Sequence, residues 1–242
     1  MRVVVTRPQH SGERTVGRLT RMGHEAHLLP LAEPVHHVED ARRALLETQG
    51  AIAVTSAEAI RVLAALGPAL AQHLARPIFA VGKATAKEAA ELGFTNITAS
   101  EGGGNELAAL ISSHATANGG ALLLYLAGVP RAAGFEAGLT GLRLPFRTVE
   151  CYRMQNIIPD DATLSQLFVD RPADAVLLYS QQTAQRFFGL SFVQRNQTLF
   201  DGIRFLCLSE AIAEAIPVAL HRHVDIAGTP DEDRLLALLV AE

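Results

Sequence analysis

Short apolar, β-rich runs recur along this chain and alternate with alanine-rich stretches of helical period. The runs fall at residues 3–5, 27–29, 52–54, 78–81, 96–98, 122–125, 147–152, 175–179, 204–208 and 224–226. Several are apolar at every position rather than every second one, the pattern of strands covered by helices on both faces. Amphipathic helices are expected between them, among them 84–92, 105–113, 181–188 and 231–240. Strand and helix in alternation specify an α/β fold with parallel sheets. Ten strands divide more naturally into two sheets of five than into one doubly wound sheet.

An internal repeat supports that division. AVTSAEAIRVL at 53–63 parallels LLYSQQTAQRFF at 177–188, and FAVGKATAKEAAELG at 79–93 parallels FLCLSEAIAEAIP at 205–217. ITASEGGGNELAALI at 97–111 parallels DIAGTPDEDRLLALLV at 225–240, and the offsets stay between about 124 and 128 residues. The second copy has three strand–helix units that run to the end of the chain, while only two strands precede the first copy. Pattern therefore permits the first two strands to join the last three, with the middle of the chain inserted. The expected boundaries are an outer, discontinuous domain of residues 1–34 plus 153–242 and an inserted domain of residues 35–152.

Composition narrows the class. The chain has 242 residues, 49% hydrophobic and 19% charged, as in ordinary globular proteins, and a net charge of −4 gives no sign of a nucleic-acid partner. Cys151 and Cys207 both fall in apolar runs, so a reducing, cytoplasmic setting is expected rather than a disulfide framework. The chain enters a strand at Val3, so no signal peptide is expected, and no apolar stretch nears the ~20 residues of a membrane helix.

Candidate chemistry follows from the sheet rule. Ligands of open parallel sheets bind beyond the carboxyl ends of strands, where helix N-termini offer unpaired N–H groups. That places Thr6 and Arg7 after the first strand, Ser56 after the third, and Gly82, Lys83 and Thr85 after the fourth. Gly128 and Arg131 follow the strand at 122–125, and Ser180, Gln181 and Ser209 follow later ones. Small and hydroxyl residues at equivalent places in both copies suit a shared anion-binding cleft, although any one of them serves equally as a plain helix cap. A phosphate loop at Gly82-Lys83 fails, because Pro77 and Ala84 stand where that motif needs Gly and Ser or Thr. His36-His37 and the His221/His223 pair lack metal-ligand spacing and are expected in exposed loops. No triad, paired catalytic carboxylates or dinucleotide fingerprint is recognisable.

The chain resembles the uroporphyrinogen-III synthases over nearly its whole length. The resemblance rests on VVVTRP (3–8), AVTSAEA (53–59), AVGKATA (80–86), EGGGNELAALI (101–111), LLYLAGVPR (123–131), VECYR (149–153), LLYSQQTA (177–184) and CLSEAIAEA (207–215). It implies two flavodoxin-like doubly wound parallel-sheet domains joined by a two-stranded linker. It also implies cyclisation of the linear polycarboxylate hydroxymethylbilane, with loss of water and inversion of ring D, in tetrapyrrole biosynthesis. By the same resemblance no cofactor or metal takes part, and Tyr152 matches the family's proposed proton donor. Thr85 matches a threonine lining the cleft, and Ser56, Ser180 and Ser209 match carboxylate-binding positions. Lys83, Arg131 and Arg153 are plausible countercharges. A monomer is expected, without nucleic acid or membrane but with transient contact to the enzyme that supplies the substrate.

Three departures from the family pattern stand out. Ala57 and Gln181 replace a proline found in many relatives, and Ser209–Ala213 replaces Gly-Pro-x-Thr-Ala, so the second copy lacks the threonine. The altered segment keeps a second reading open, a non-catalytic tetrapyrrole- or anion-binding protein on the same scaffold. A DNA-binding regulator is disfavoured by the acidic balance. A flavin-binding relative is disfavoured by the missing phosphate loop and the absence of tryptophan.

Overall fold

The computed structural model describes residues 1–114, 121–229 and 231–240. The chain opens with β1 (Arg2–Val5), α1 (Gln9–Arg21), β2 (Glu25–Leu28), β3 (Ala32–His36) and α2 (Val38–Glu47). Next come β4 (Ile52–Val54), α3 (Ala57–Ala64), β5 (Ile78–Val81), α4 (Lys83–Glu91), β6 (Ile97–Ser100) and α5 (Gly104–His114). β7 (Leu123–Val129), α6 (Gly134–Gly141), β8 (Phe146–Asn156) and α7 (Asp161–Ser165) follow. The last part holds β9 (Ala175–Leu178), α8 (Gln181–Gly189), α9 (Ser191–Arg195), β10 (Arg204–Cys207), α10 (Glu210–Ala213), β11 (Val224–Ile226) and α11 (Glu232–Ala237). Among the described residues no helix is long and apolar enough to cross a membrane.

The chain divides into two compact units, residues 1–33 with 155–242 and residues 34–154. It crosses between them within β3 and again within β8, which are neighbours at one sheet edge. The His37 N–H donates to the Cys151 carbonyl and the Ile157 N–H to the Leu31 carbonyl, an antiparallel arrangement.

The first unit is built on a parallel sheet in the order β11-β10-β9-β1-β2. Its strands are apolar throughout because successive residues feed opposite faces. Val4, Val176, Leu178 and Phe205 enter one core cluster, while Val3, Val5, Leu177 and Leu206 enter the other. In the first of these, Phe187 meets Phe168, Phe188, Phe200 and Phe205 edge-on, with ring centroids 5.8, 5.1, 5.7 and 6.3 Å away.

The second unit has the order β8-β7-β4-β5-β6, parallel throughout, with β3 added outside β8. Ile52, Val54, Ile78 and Leu124 face one cluster; Ala53, Phe79, Leu123 and Tyr125 face the other. Arg76 is buried and donates to the Gly50 carbonyl at 2.6 and 2.8 Å and to the Leu45 carbonyl at 3.2 Å. Burial lowers its guanidinium pKa, and these carbonyls give the charge its partners.

The two sheets share one spatial order with different chain entry points. β4-β5-β6 occupy the places of β9-β10-β11, and β7-β8 those of β1-β2. This is a circular permutation, and it explains why the repeat covers three strand–helix units and stops there.

Several expectations are corrected. Residues around Pro34 form a strand, β3, which is not among the ten apolar runs. It lies at a sheet edge, where a proline's missing N–H costs no ladder bond. Among the described residues the sheets therefore hold five and six strands instead of five each. β7 runs on to Val129, so Ala127 and Gly128 lie inside a strand and not in the loop beyond it. α11 stops at Ala237. His36 ends β3 and is half-buried, its Nε2 2.6 Å from Glu58 Oε1, so it is not an exposed loop residue. Pro230 of the Gly228-Thr229-Pro230 turn lies outside the described residues.

Candidate active site

In the unit of residues 34–154, the carboxyl ends of β4 and β7 surround a pocket of about 320 Å³. It brings together four of the expected site residues, Ser56, Gly128, Arg131 and Tyr152, with Thr55, Tyr125 and Phe135 beside them. Ser56 sits where β4 hands over to α3, extended at φ −152°, and its Oγ accepts the Glu58 N–H at 3.2 Å. It is a true helix cap, satisfying one of the orphan donors of the first turn.

Tyr152 owes its place to an irregularity in the sheet. β7 and β8 slip by one residue between Ala127 and Gly128, which sets Gly128 opposite Tyr152. A Cβ on Gly128 would overlap the phenol ring and hydroxyl of Tyr152, so glycine leaves the space that the ring occupies. Tyr152 is 9% exposed. Burial pushes its phenol above the ordinary value, against the pull of a hydrogen bond with Ser56. Tyr125 has the same character. Burial raises its phenol pKa, and its hydroxyl lies 3.0 Å from Thr55 Oγ1. Both phenols keep their protons at neutral pH, so they can donate hydrogen bonds or protons but cannot serve as bases.

Arg131 supplies the pocket's positive charge, yet acidic partners bracket it. Its Nε lies 3.0 Å from Glu136 Oε2 and its Nη1 3.1 Å from Glu150 Oε1. The hydrogen bond with Glu136 raises the guanidinium further and holds the Glu136 carboxyl below its usual range. Arg153 pairs with Glu150 at 3.5 Å on an exposed face. Gly82, Lys83 and Thr85 do not line this pocket. Gly82 turns the chain into α4 at φ +77°, a conformation that favours glycine. Lys83 is exposed beside Glu101 at 3.2 Å, and Thr85 is buried on α4.

In the other unit, Thr6, Arg7, Ser180, Gln181 and Ser209 all follow carboxyl ends of strands. Thr6 is buried, and its hydroxyl donates to the Leu177 carbonyl at 2.7 Å, so it bridges two strands. Arg7 stacks over Tyr179 and pairs with Glu232 at 2.9 Å. Ser180 caps α8 by accepting the Thr183 N–H at 3.1 Å, and Gln181 opens that helix on its exposed side. Ser209 makes no cap bond to the four-residue α10.

Sequence reasoning missed Tyr125, Tyr179 and Glu232. The signal was there for the tyrosines, since a phenol within or just after a fully apolar strand needs a polar partner. Nothing local marked Glu232, because its partners come from distant parts of the chain. Among the described residues no group of three His, Cys, Asp or Glu side chains is placed to hold a metal. Cys151 and Cys207 are free and buried, with burial pushing each thiol up to about 12. Neither is a thiolate nucleophile at neutral pH.

Comparison with known proteins adds the family. Uroporphyrinogen-III synthetase from Helicobacter pylori superposes with a TM-score of 0.66 at 17% identity, covering 99% of each chain. A mutant uroporphyrinogen III synthase from Thermus thermophilus superposes with a TM-score of 0.57 at 18% identity, covering 99% of this chain and 96% of the other. Identities this low speak for the fold. No curated protein sequence matches significantly. The family profile described as uroporphyrinogen-III synthase HemD matches residues 13–237. With that match over most of its length, the chain belongs to the uroporphyrinogen-III synthase family, enzymes of tetrapyrrole biosynthesis.

Proposed function

We propose that this chain closes hydroxymethylbilane into uroporphyrinogen III with Tyr152 as the proton donor. The carrying observation is the pocket of residues 34–154, where the deep-set phenol of Tyr152 stands beside Tyr125, Thr55 and Ser56. A hydroxyl leaves carbon as water only when it gains a proton. Tyr152 donates that proton to the hydroxymethyl oxygen of ring A, water departs, and an electrophilic protonated azafulvene remains; the proton released when the closed product regains its aromatic pyrroles restores the phenol. Attack by the substituted carbon of ring D gives a spiro intermediate, whose fragmentation and reclosure invert ring D. The protein's task is orientation and electrostatics, since the substrate carries its own reactivity. The substrate carboxylates are held at helix N-termini after the strands, by Ser56, Ser180 and Ser209 with Gly82, Thr85 and Gln181. Arg7, Arg131 and Lys83 add countercharge. We read both units as flavodoxin-like: the first has the flavodoxin strand order 2-1-3-4-5 and the second its circular permutation. On this reading the second unit is the inserted domain of the pair.

The test is an isomer assay. Fresh hydroxymethylbilane is incubated with the protein, the products are oxidised, and type I and type III uroporphyrins are separated. Predominant type III product is expected. Type I alone, from folded protein, would rule out catalysis and favour a non-catalytic tetrapyrrole-binding role.

A further inference from the structure

Four side chains converge on Glu232, at the start of α11. Its Oε1 accepts from Arg7 Nη1 at 2.9 Å, Thr15 Oγ1 at 2.6 Å and Tyr179 Oη at 2.9 Å. Its Oε2 accepts from Arg18 Nη1 at 2.8 Å. The guanidinium carbon of Arg7 sits 4.3 Å from the Tyr179 ring centroid. Arg7 is thus held twice, by its seat over the Tyr179 ring and by the pairing of Nη1 with Glu232.

Among the described residues, Nε and Nη2 of Arg7 donate no hydrogen bond; only Nη1 does, to Glu232 and Thr15. Those two free nitrogens form one straight edge of the fork, the edge that matches a carboxylate in bidentate fashion. The seat over the Tyr179 ring engages neither of these two N–H groups. Arg7 stands two residues past Val5, beyond the carboxyl end of the interior strand β1, where open parallel sheets take their ligands. Pinning α11 to α1 does not require this arrangement, because Arg18 already bridges to Glu232 and Asp233. The phenol and the threonine hydroxyl donate to Oε1, the same oxygen that receives Arg7 Nη1.

We propose that Glu232, with Tyr179 and Thr15, is a positioning residue that presents the Nε–Nη2 edge of Arg7 to one carboxylate of the substrate. This rests on the polycarboxylate substrate proposed above. Arg7 is the group that touches substrate, and Glu232 acts through it.

A double-variant cycle in the full-length protein tests the idea. Arg7→Lys loses the fork, and Glu232→Gln loses the charge that aims it. Each is expected to raise KM about tenfold with kcat nearly unchanged, the mark of a lost binding contact. The double variant is expected to be no worse than Arg7→Lys alone, because both changes remove one interaction. Tyr179→Phe keeps the stacking ring and removes one donor, so it raises KM by less. If Glu232→Gln does not fold, as judged by its melting curve, Arg7→Lys with Tyr179→Phe gives the same cycle. An unchanged KM in folded Glu232→Gln overturns the proposal. So do penalties that multiply in the double variant, which a merely structural carboxylate would produce. If the unaltered protein makes only type I product, the proposed reaction has failed and the fork still stands to be tested. Binding of uroporphyrin I to the same variants, followed by fluorescence, should then weaken about tenfold; equal binding overturns the fork as well.

Discussion

Gly128 is where one methyl group decides the pocket. Its Cβ would fall on the Tyr152 ring, so Gly128→Ala is expected to push the phenol aside and cut kcat at least tenfold, as small misplacements of reacting groups do. An unchanged rate in the folded variant would show that the ring can yield without cost. Tyr152→Phe keeps the packing and removes the proton. Its kcat should fall by about 10²-fold or more while KM moves little, and an unaltered rate would remove Tyr152 as the donor. Glu232 gives a pH signature. Burial opposes its charge, but the bonds from Thr15, Arg7, Tyr179 and Arg18 outweigh burial and hold its carboxyl below the usual 4.5. A carboxyl depressed in the folded state contributes stability above its unfolded value and loses it as pH falls through the folded one. The melting-temperature gap between unaltered protein and Glu232→Gln should therefore be constant above pH 4.5 and shrink below it. A gap indifferent to acid contradicts this account.

At the scale of elements, the equivalent serines do unequal work. Ser56 and Ser180 cap α3 and α8 through their side chains, whereas Ser209 makes no such bond. Ser180→Ala should cost about 1 kcal/mol of unfolding free energy and Ser209→Ala close to nothing. Denaturant titration of the two variants measures the contrast, and equal costs would refute it. The strand positions could be read from apolar runs because parallel strands buried on both faces have no polar side. The reach of β7 could not. Residues 127–129 read as loop because of their glycine, and they become strand only because β8 lies alongside, with an extra β8 residue, Cys151, opposite the step from Ala127 to Gly128. The apolar pattern missed β3 for the same reason, since its strand character depends on pairing with β8, and only the resemblance, through its two-stranded linker, implied strands at the crossing.

At the scale of the whole molecule, each unit buries its own clusters: Phe187 and its neighbours in one, and Leu124, Leu126 and Ile78 in the other. Residues 34–154 are continuous in sequence and keep β4 to β8 together. That fragment alone should fold and melt cooperatively by circular dichroism. Residues 155–242 alone should not, because β9 would lose β1, its partner along Val3–Val5, and expose one side of the sheet. A cooperative melt of the second fragment, or none from the first, would overturn the division.

The class of fold, the strand and helix alternation, the repeat, and the small or hydroxyl residues after each strand are legible in the residues alone. These are local facts, set by the period of apolar side chains and by what a helix start or a tight turn requires. The sequence also carried the family resemblance, through motifs that keep their order along the chain. Which of those residues meet is a property of the folded chain. Ser56 reaches Tyr152 because β4 and β8 flank β7, and Glu232 reaches Arg7 across most of the chain because α11 packs on the sheet that begins with β1. Such pairings depend on strand order and register, which are settled when buried faces find each other and leave no mark at either residue alone.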